Sequence, residues 1–456
     1  MLRIALPLVT AELGWMMMGL VDTVMVGRLP NAAIAMSSVA LAQILYNTLA
    51  FGIGGVLLGL DTVIAQAHGA GRLEEANRWL WNGLLLASAM SILLTIVFFI
   101  APFGMLHMRT SPEVIAGAIA TLKALTLGIL PLLLYFTLRR YLQAFNHVRI
   151  IAVTLVTANL INLFFDWLLI YGHHISLHLG DANLSFGWAP MGVKGSGLAT
   201  SFARIYQALF LIVALWVVDA RKNYGLRRLS LRPDRSLLVR LLSLGLPAGA
   251  TLLVEISIFA IVTFLIGSLG PLPLAGHEVA LNVVSFTFMV PLGLSAAASV
   301  RVGQAIGRGA REEARAAGWS AMLLSGAFTL CTSVLYTVFP HAIARVFTPD
   351  AAVIATTVPI FAIAAVFQLF DGLQVTALGA LRGAGDTRSG LITHLCCYWL
   401  LGLPLGVYLC FTRKLGARGL WIGLCAALIL AGVILLWRWQ SVSHHLPEPI
   451  AAEAVS

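Results

Sequence analysis

Charged residues disappear from this chain over long stretches, and those stretches set the first prediction. None occurs from Leu29 to Leu60, Trp79 to Met108, Ala316 to Ala344, Ser389 to Thr412 or Leu420 to Trp437. Each reaches or approaches the roughly 20 apolar residues that a helix needs to cross about 30 Å of hydrocarbon. Taken together, the apolar runs predict twelve spans at about 4–27, 33–60, 79–103, 115–138, 150–171, 192–218, 241–268, 274–300, 317–339, 352–380, 389–411 and 419–437. Backbone inside lipid must satisfy its own hydrogen bonds, so the expected fold class is an all-α polytopic membrane protein.

Composition agrees and excludes much else. Of 456 residues, 59% are hydrophobic and 11% are Asp, Glu, Lys or Arg, against about 25% charged in an average soluble domain. A soluble enzyme, a nucleic-acid-binding protein and a disordered chain are all excluded. The net charge of +10 is explained by its placement. The predicted loops fall into two alternating sets. One holds Arg3, Arg72, Arg78, Arg139, Arg140, Arg149, the seven bases of the 221–240 run, Arg301, Arg308, Arg311, Arg315, Arg382, Arg388 and Arg438, which makes 20 of the 29 bases. The other holds Arg28, Arg109, Lys194, Arg345, Arg413, Lys414 and Arg418, with Lys123 and Arg204 inside spans. Such a bias puts both termini in the cytoplasm, with the chain in the plasma (inner) membrane. The basic loops then face anionic lipid headgroups, not nucleic acid. Arg3 precedes an apolar run with no clear cleavage site, so the first helix is read as uncleaved. The five cysteines sit in apolar spans as small hydrophobes, with no C-x-x-C pair.

The chain also repeats itself. At an offset of 240, Leu6-Pro7 falls on Leu246-Pro247 and Val39-Ala40-Leu41 on Val279-Ala280-Leu281. At 238, the eleven residues from Gln66 to Ala76 fall on Gln304 to Ala314 with seven identities, and at 239 Leu142 falls on Leu381 and Arg149 on Arg388. The predicted organisation is an N-terminal six-helix lobe (1–219), a basic cytoplasmic linker (220–240), a C-terminal six-helix lobe (241–440) and a cytoplasmic tail (441–456). Six spans is an even number, so both lobes enter from one side as parallel repeats. Carriers place substrate between such halves.

Against this apolar background the acids stand out. A carboxylate at the helix centre costs about 2.5–3.5 kcal/mol on insertion scales, which makes intramembrane acids functional candidates. Asn159, Asn162 and Asp166 share one face of the fifth span, at spacings of three and four residues. Their oxygens suit a hard cation or a shared proton, or they simply tie helices together. Asp22 offers a second carboxylate in the same half. Glu255 and Asp371 lie in the seventh and tenth spans with no base within one helical turn, and Phe367 precedes Asp371 by one turn, where it could flank a cation. Secondary candidates are Glu12, about 15 Å along the helix from Asp22, Glu278 near a span start, and Arg204, whose partner the sequence does not name. Asp61 is expected at a span end, solvated. No P-loop, zincin or nucleophile-elbow motif occurs, so an enzyme is not expected.

Three stretches resemble a known family. Val21-Asp22-Thr23-Val24-Met25-Val26-Gly27-Arg28 is similar to the first-helix signature of multidrug and toxic compound extrusion (MATE) transporters. The run from Met289 to Gly303 resembles the family's eighth helix, and Ala380-Leu381-Arg382-Gly383-Ala384-Gly385-Asp386-Thr387 its loop after helix ten. The resemblance implies a V-shaped protein of twelve helices around a central cavity. It implies export of organic cations and amphipathic compounds in exchange for Na⁺ or H⁺, with no other cofactor. It maps a first-lobe cation site onto Asp22, Asn159, Asn162, Asp166 and Thr200. A second-lobe site, typical of the bacterial sodium-coupled branch, maps onto Glu255 and Asp371; Na⁺ is a candidate ion at either. Rival expectations are a lipid-linked saccharide flippase of the same superfamily, for which basic cavity residues would be needed, and an ion channel. The chain is expected to act as a monomer.

Overall fold

The structure is a computed structural model and describes residues 1–107, 110–179, 182–226 and 232–445, with backbone only across 173–188. Arg109, Arg227, Arg228 and the 446–456 part of the expected tail lie outside the described residues. The first half of the chain comprises α1 (Leu2–Val26), α2 (Ala32–Gly54), α3 (Gly59–Gly69), α4 (Leu73–Met105), α5 (Pro112–Thr126), α6 (Ile129–Ala144), α7 (Val148–Tyr171) and α8 (Val193–Lys222). The second comprises α9 (Arg235–Gly267), α10 (Pro271–Gly307), α11 (Arg311–Val338), the short α12 (Pro340–Phe347), α13 (Ala351–Gly383), α14 (Arg388–His394), α15 (Leu403–Val407) and α16 (Ala417–His444). Among these residues eleven helical units are long and apolar enough to cross a membrane, and α5 with α6, bent by 49°, makes a twelfth.

Several boundaries differ from the apolar pattern for identifiable reasons. A 3₁₀ turn at Gly55–Leu58 joins α2 to α3 and prolongs the second span to Gly69, nine residues beyond the predicted end at 60. The fourth span breaks at Leu127-Gly128 and then runs on to Ala144, so Arg139 and Arg140 belong to a helix and not to a loop. The span from Arg388 to Thr412 carries π-helical turns at Leu395–Gly402 and Tyr408–Thr412. Between α7 and α8, β1 (His173–Leu179) pairs antiparallel with β2 (Ala182–Trp188), His173 opposite Trp188, which adds a hairpin to an otherwise helical fold.

Polar signals set the helix ends. Ser111 caps α5, with Pro112 in its first turn, where the lost N–H has no helical partner to miss. Asp234 caps α9 and Asp350 caps α13. The repeat extends to the breakers. Gly71 and Gly309, 238 apart, both take φ +73 after α3 and α10, while Asn146 (φ 61) and Gly385 (φ 87), 239 apart, follow α6 and α13. Two of the residue types that tolerate a left-handed backbone thus fill equivalent positions.

The halves meet at the end that carries the basic loops. The backbone of α3 and that of α10 approach so closely that a Cβ on Gly69 would meet the Gln304 carbonyl at 2.1 Å, and one on Gly307 the Gln66 carbonyl at 2.1 Å. The same end holds Gly293 against Val9, and Gly245 against Val56. One apolar core crosses this seam, with Leu237, Leu241, Leu244 and Leu294 packed among residues of the first half.

Candidate functional site

In the first half, four helices bring polar groups to one buried point. Asp22, near the end of α1, is 1% exposed, and Asp166 and Asn162 of α7 are fully buried. The Asp22 carboxyl lies against Asp166 and the Asn162 amide. Its Oδ2 accepts hydrogen bonds from Thr200 Oγ1 of α8 at 3.0 Å and from Gln43 Nε2 of α2 at 3.3 Å. The remaining Asp22 oxygen, both Asp166 oxygens and both polar atoms of Asn162 are buried without a hydrogen-bond partner. Two adjacent carboxylates in so dry a place need positive charge or a proton between them, because uncompensated buried charge is costly.

The other first-half candidates make further contacts. Asn159 donates to the Gly14 carbonyl of α1 at 2.8 Å, about two turns from the carboxylates, so it ties α7 to α1. Arg204, one turn along α8 from Thr200, places its guanidinium 4.4 Å from the Tyr46 ring centre. That ring is one neighbour the sequence left unnamed; the guanidinium is also close enough to Asp22 to act on it electrostatically, although Nε and Nη1 have no hydrogen-bond acceptor. Glu12 pairs with Arg139 of α6, a base the sequence had assigned to a loop. Asp61 is 2% exposed and meets Arg140 and Arg382, each at 3.3 Å. The expectation of a solvated Asp61 is therefore corrected: its span continues past it.

In the second half, Asp371 of α13 is 4% exposed. Its Oδ1 accepts from Gln374 Nε2 at 3.2 Å, and the same amide donates to the Tyr398 hydroxyl at 2.9 Å. Glu255 of α9 stands close enough to Asp371 and Tyr398 to act on both electrostatically, and its side chain is partly exposed. Tyr398 reaches this point from the π-helical turn of its span; wide turns of this kind often occur at functional sites. Phe367 is turned into the core. It is fully buried, 5.5 Å from Trp421 and 6.1 Å from Phe259 between ring centres. Glu278 is exposed in the second turn of α10.

Gln43, Gln374 and Tyr398 were missed from sequence. Gln374 had a signal, standing three residues after Asp371 on the same helical face. Gln43 and Tyr398 are isolated in apolar windows, where nothing marks them. Among the described residues no group of three His, Cys, Asp or Glu side chains gathers. A cation held at either site would therefore rely on a carboxylate pair assisted by amide and hydroxyl oxygens, a donor set suited to a hard ion.

Comparison with known proteins fits this geometry. The MatE family profile matches twice, at residues 7–168 and 247–408, starts that lie 240 residues apart. The chain is 34% identical over 464 residues to a probable multidrug resistance protein NorM of Pseudomonas aeruginosa, covering 99% of this chain and 91% of that one. It is 32% identical over 459 residues to the multidrug resistance protein MdtK of Pectobacterium atrosepticum, covering 99% and 97%. Among solved structures, the fold is similar to the eukaryotic MATE transporter AtDTX14, with a TM-score of 0.84 at 21% identity over 98% of this chain and 97% of that one. It is also similar to an outward-facing multidrug resistance MATE transporter of the MOP superfamily, with a TM-score of 0.85 at 20% identity over 98% and 95%. Sequence, repeat and fold converge on one assignment: this chain belongs to the MATE family of membrane transporters.

Proposed function

We propose that this chain is a secondary antiporter that exports organic cations and other amphipathic compounds in exchange for Na⁺ or H⁺. The observation that carries the proposal is the Asp22–Asp166 pair, two buried carboxyls lying against each other with no base among the described residues hydrogen-bonded to either. A group of this kind binds positive charge from whichever side it faces. Binding the coupling ion neutralises the pair and weakens its hold on a cationic substrate, and the reverse holds equally, since coupling between ligands is reciprocal. Multidrug resistance in the names of the relatives supports the substrate class.

The proposed organisation is two six-helix lobes, 1–219 and 241–440, joined by the 220–240 linker and rocking about the seam at the basic end, with 441–456 as a tail. The basic end is assigned to the cytoplasm, with both termini there and anionic lipid against its bases, and the membrane is the plasma (inner) membrane. The chain is proposed to act as a monomer. In the first lobe Asp22, Asp166, Asn162 and Thr200 bind the coupling ion. Asn159 supports them by fixing α7 against α1. In the second, Glu255 and Asp371, with Gln374 and Tyr398, form a further cation site, which favours the sodium-coupled branch. A flippase for anionic lipid-linked saccharides is disfavoured because the unpaired groups at both sites are predominantly acids.

The test is reconstitution and measurement of ethidium or tetraphenylphosphonium efflux under imposed Na⁺ or H⁺ gradients, with Asp22→Asn, Asp166→Asn, Glu255→Gln and Asp371→Asn in parallel. Loss of gradient-driven efflux in the first pair is expected. Normal exchange in all four variants would overturn the proposal.

A further inference from the structure

The seam between the halves has a two-fold frame. Gln66 Nε2 of α3 donates to the Gly383 carbonyl at 3.0 Å, and Gln304 Nε2 of α10 donates to the Ala144 carbonyl at 2.7 Å. Donors and acceptors are related by the repeat, since 304 − 66 is 238 and 383 − 144 is 239. Each half therefore reaches into the other with the same bond, beside the glycine contacts of Gly69 and Gly307.

One element breaks the symmetry. Asp61 of α3 aligns with Ser299 at the same offset of 238, so its carboxylate has no counterpart in the second half. Its Oδ2 lies 3.3 Å from Arg140 Nη1, in the same half, and 3.3 Å from Arg382 Nε, in the other. Asp61 is 2% exposed, and the two arginine side chains are 14% and 15% exposed. Arg140 has a second acceptor in Gln143 Oε1 at 3.4 Å. Two guanidiniums against one carboxylate leave a net charge of +1 in a nearly dry place, which is unfavourable.

We infer that Asp61, Arg140 and Arg382 form an ionic latch between the halves, in which Asp61 binds Arg382 only while the basic end is closed and keeps Arg140 throughout. Opening that end carries Arg382 away with the second half and leaves a neutral Asp61–Arg140 pair. In the closed state the Asp61–Arg382 attraction holds the halves together, while repulsion between Arg140 and Arg382 opposes it. The two glutamine bonds, and the Thr62 hydroxyl donating to the Arg382 carbonyl at 2.5 Å, add to the attraction. Opposed terms of this kind leave the two states close in free energy, so that the modest differential affinity of a cargo ion can move the population. The net positive charge also repels cations from the closed end, sealing it against leak of the ion whose gradient drives exchange.

The inference rests on the alternating opening proposed above, but its test needs neither substrate nor gradient, so the two can fail separately. Spin labels at Glu74→Cys and Glu312→Cys, exposed positions related by the repeat, report the distance across the basic end of the full-length reconstituted chain, with the five native cysteines replaced. Arg382→Gln is expected to reduce the short-distance population about threefold or more, whereas Arg140→Gln, which removes the excess charge, keeps or raises it. Asp61→Asn should open this end most, and adding Arg382→Gln to it should restore part of the closed population. If Asp61→Asn does not fold, the two arginine variants carry the test. A distance distribution unchanged by Arg382→Gln, or equal loosening by Arg140→Gln and Arg382→Gln, would overturn the latch.

Discussion

The two halves share a scaffold and differ in their acids. The repeat preserves seam residues such as Gln66 and Gln304, and the left-handed breaker positions 71 and 309, yet it does not relate the carboxylates. Asp22 aligns with Val262 at an offset of 240, Glu255 with Trp15 at the same offset, and Asp371 with Leu132 at 239. The first-half site is two carboxyls in contact, almost sealed from solvent. The second-half site spreads Glu255, Asp371, Gln374 and Tyr398 over three spans, and its glutamate is partly exposed. The repeat kept the glutamines and glycines of the seam and left the acids of the two candidate sites unmatched.

That contrast gives an order of effects. Asp166→Asn or Asp22→Asn should lower gradient-driven efflux by about tenfold or more, because an amide brings no negative charge to balance a cation and takes up no proton; initial rates in vesicles check this. Glu255→Gln and Asp371→Asn should have a several-fold effect, confined to the Na⁺-driven component, which separate Na⁺ and H⁺ gradients measure. Equal losses in both pairs under both gradients would erase the proposed division between the halves.

Structural pairs should behave otherwise. Glu12→Gln leaves Arg139 buried without its partner and is expected to cost up to about 3 kcal/mol, read as a lower Tm in detergent. Phe367→Leu should cost about 1–2 kcal/mol of stability while leaving the substrate KM unchanged, since the ring packs against Trp421 and Phe259. A raised KM there would place it in the binding space after all.

The smallest effect concerns the joint between the halves. Partial burial pushes the Asp234 carboxyl up, but hydrogen bonds from Ser236, Leu237 and Arg78 outweigh it and hold the group below its usual range. A lowered folded value means that the stabilisation is present above the ordinary carboxylate range and is lost as pH falls through the folded value. Asp234→Asn should therefore flatten the acid side of a stability–pH profile, below about pH 4, without changing transport near neutrality.

Much of this was legible in the sequence. Charge-free windows reveal spans because lipid tolerates little else, and Asn162 and Asp166 stood out as polar groups one turn apart on an apolar helix. Partners were harder. Glu12 and Arg139 are 127 positions apart, and no local pattern links them. Asp61 was misjudged because a 3₁₀ turn carries its span past the last apolar window, and Arg139 and Arg140 because a charge looks like a loop until a buried acid is found opposite. Phe367 illustrates the same limit: helical spacing put it beside Asp371 but could not show which way the ring turns.

The central claim is that buried carboxylates hold the coupling ion and the substrate in alternation. Its most direct test is substrate-driven counterflow in vesicles with no imposed ion gradient, recorded with a Na⁺-sensitive or H⁺-sensitive dye on the opposite side. The account predicts that tetraphenylphosphonium moving down its gradient drives Na⁺ or H⁺ the other way in the wild type, and that this counterflow disappears in the Asp22→Asn/Asp166→Asn double variant. Substrate flux with no ion counterflow in the wild type, or undiminished counterflow in the double variant, would contradict it.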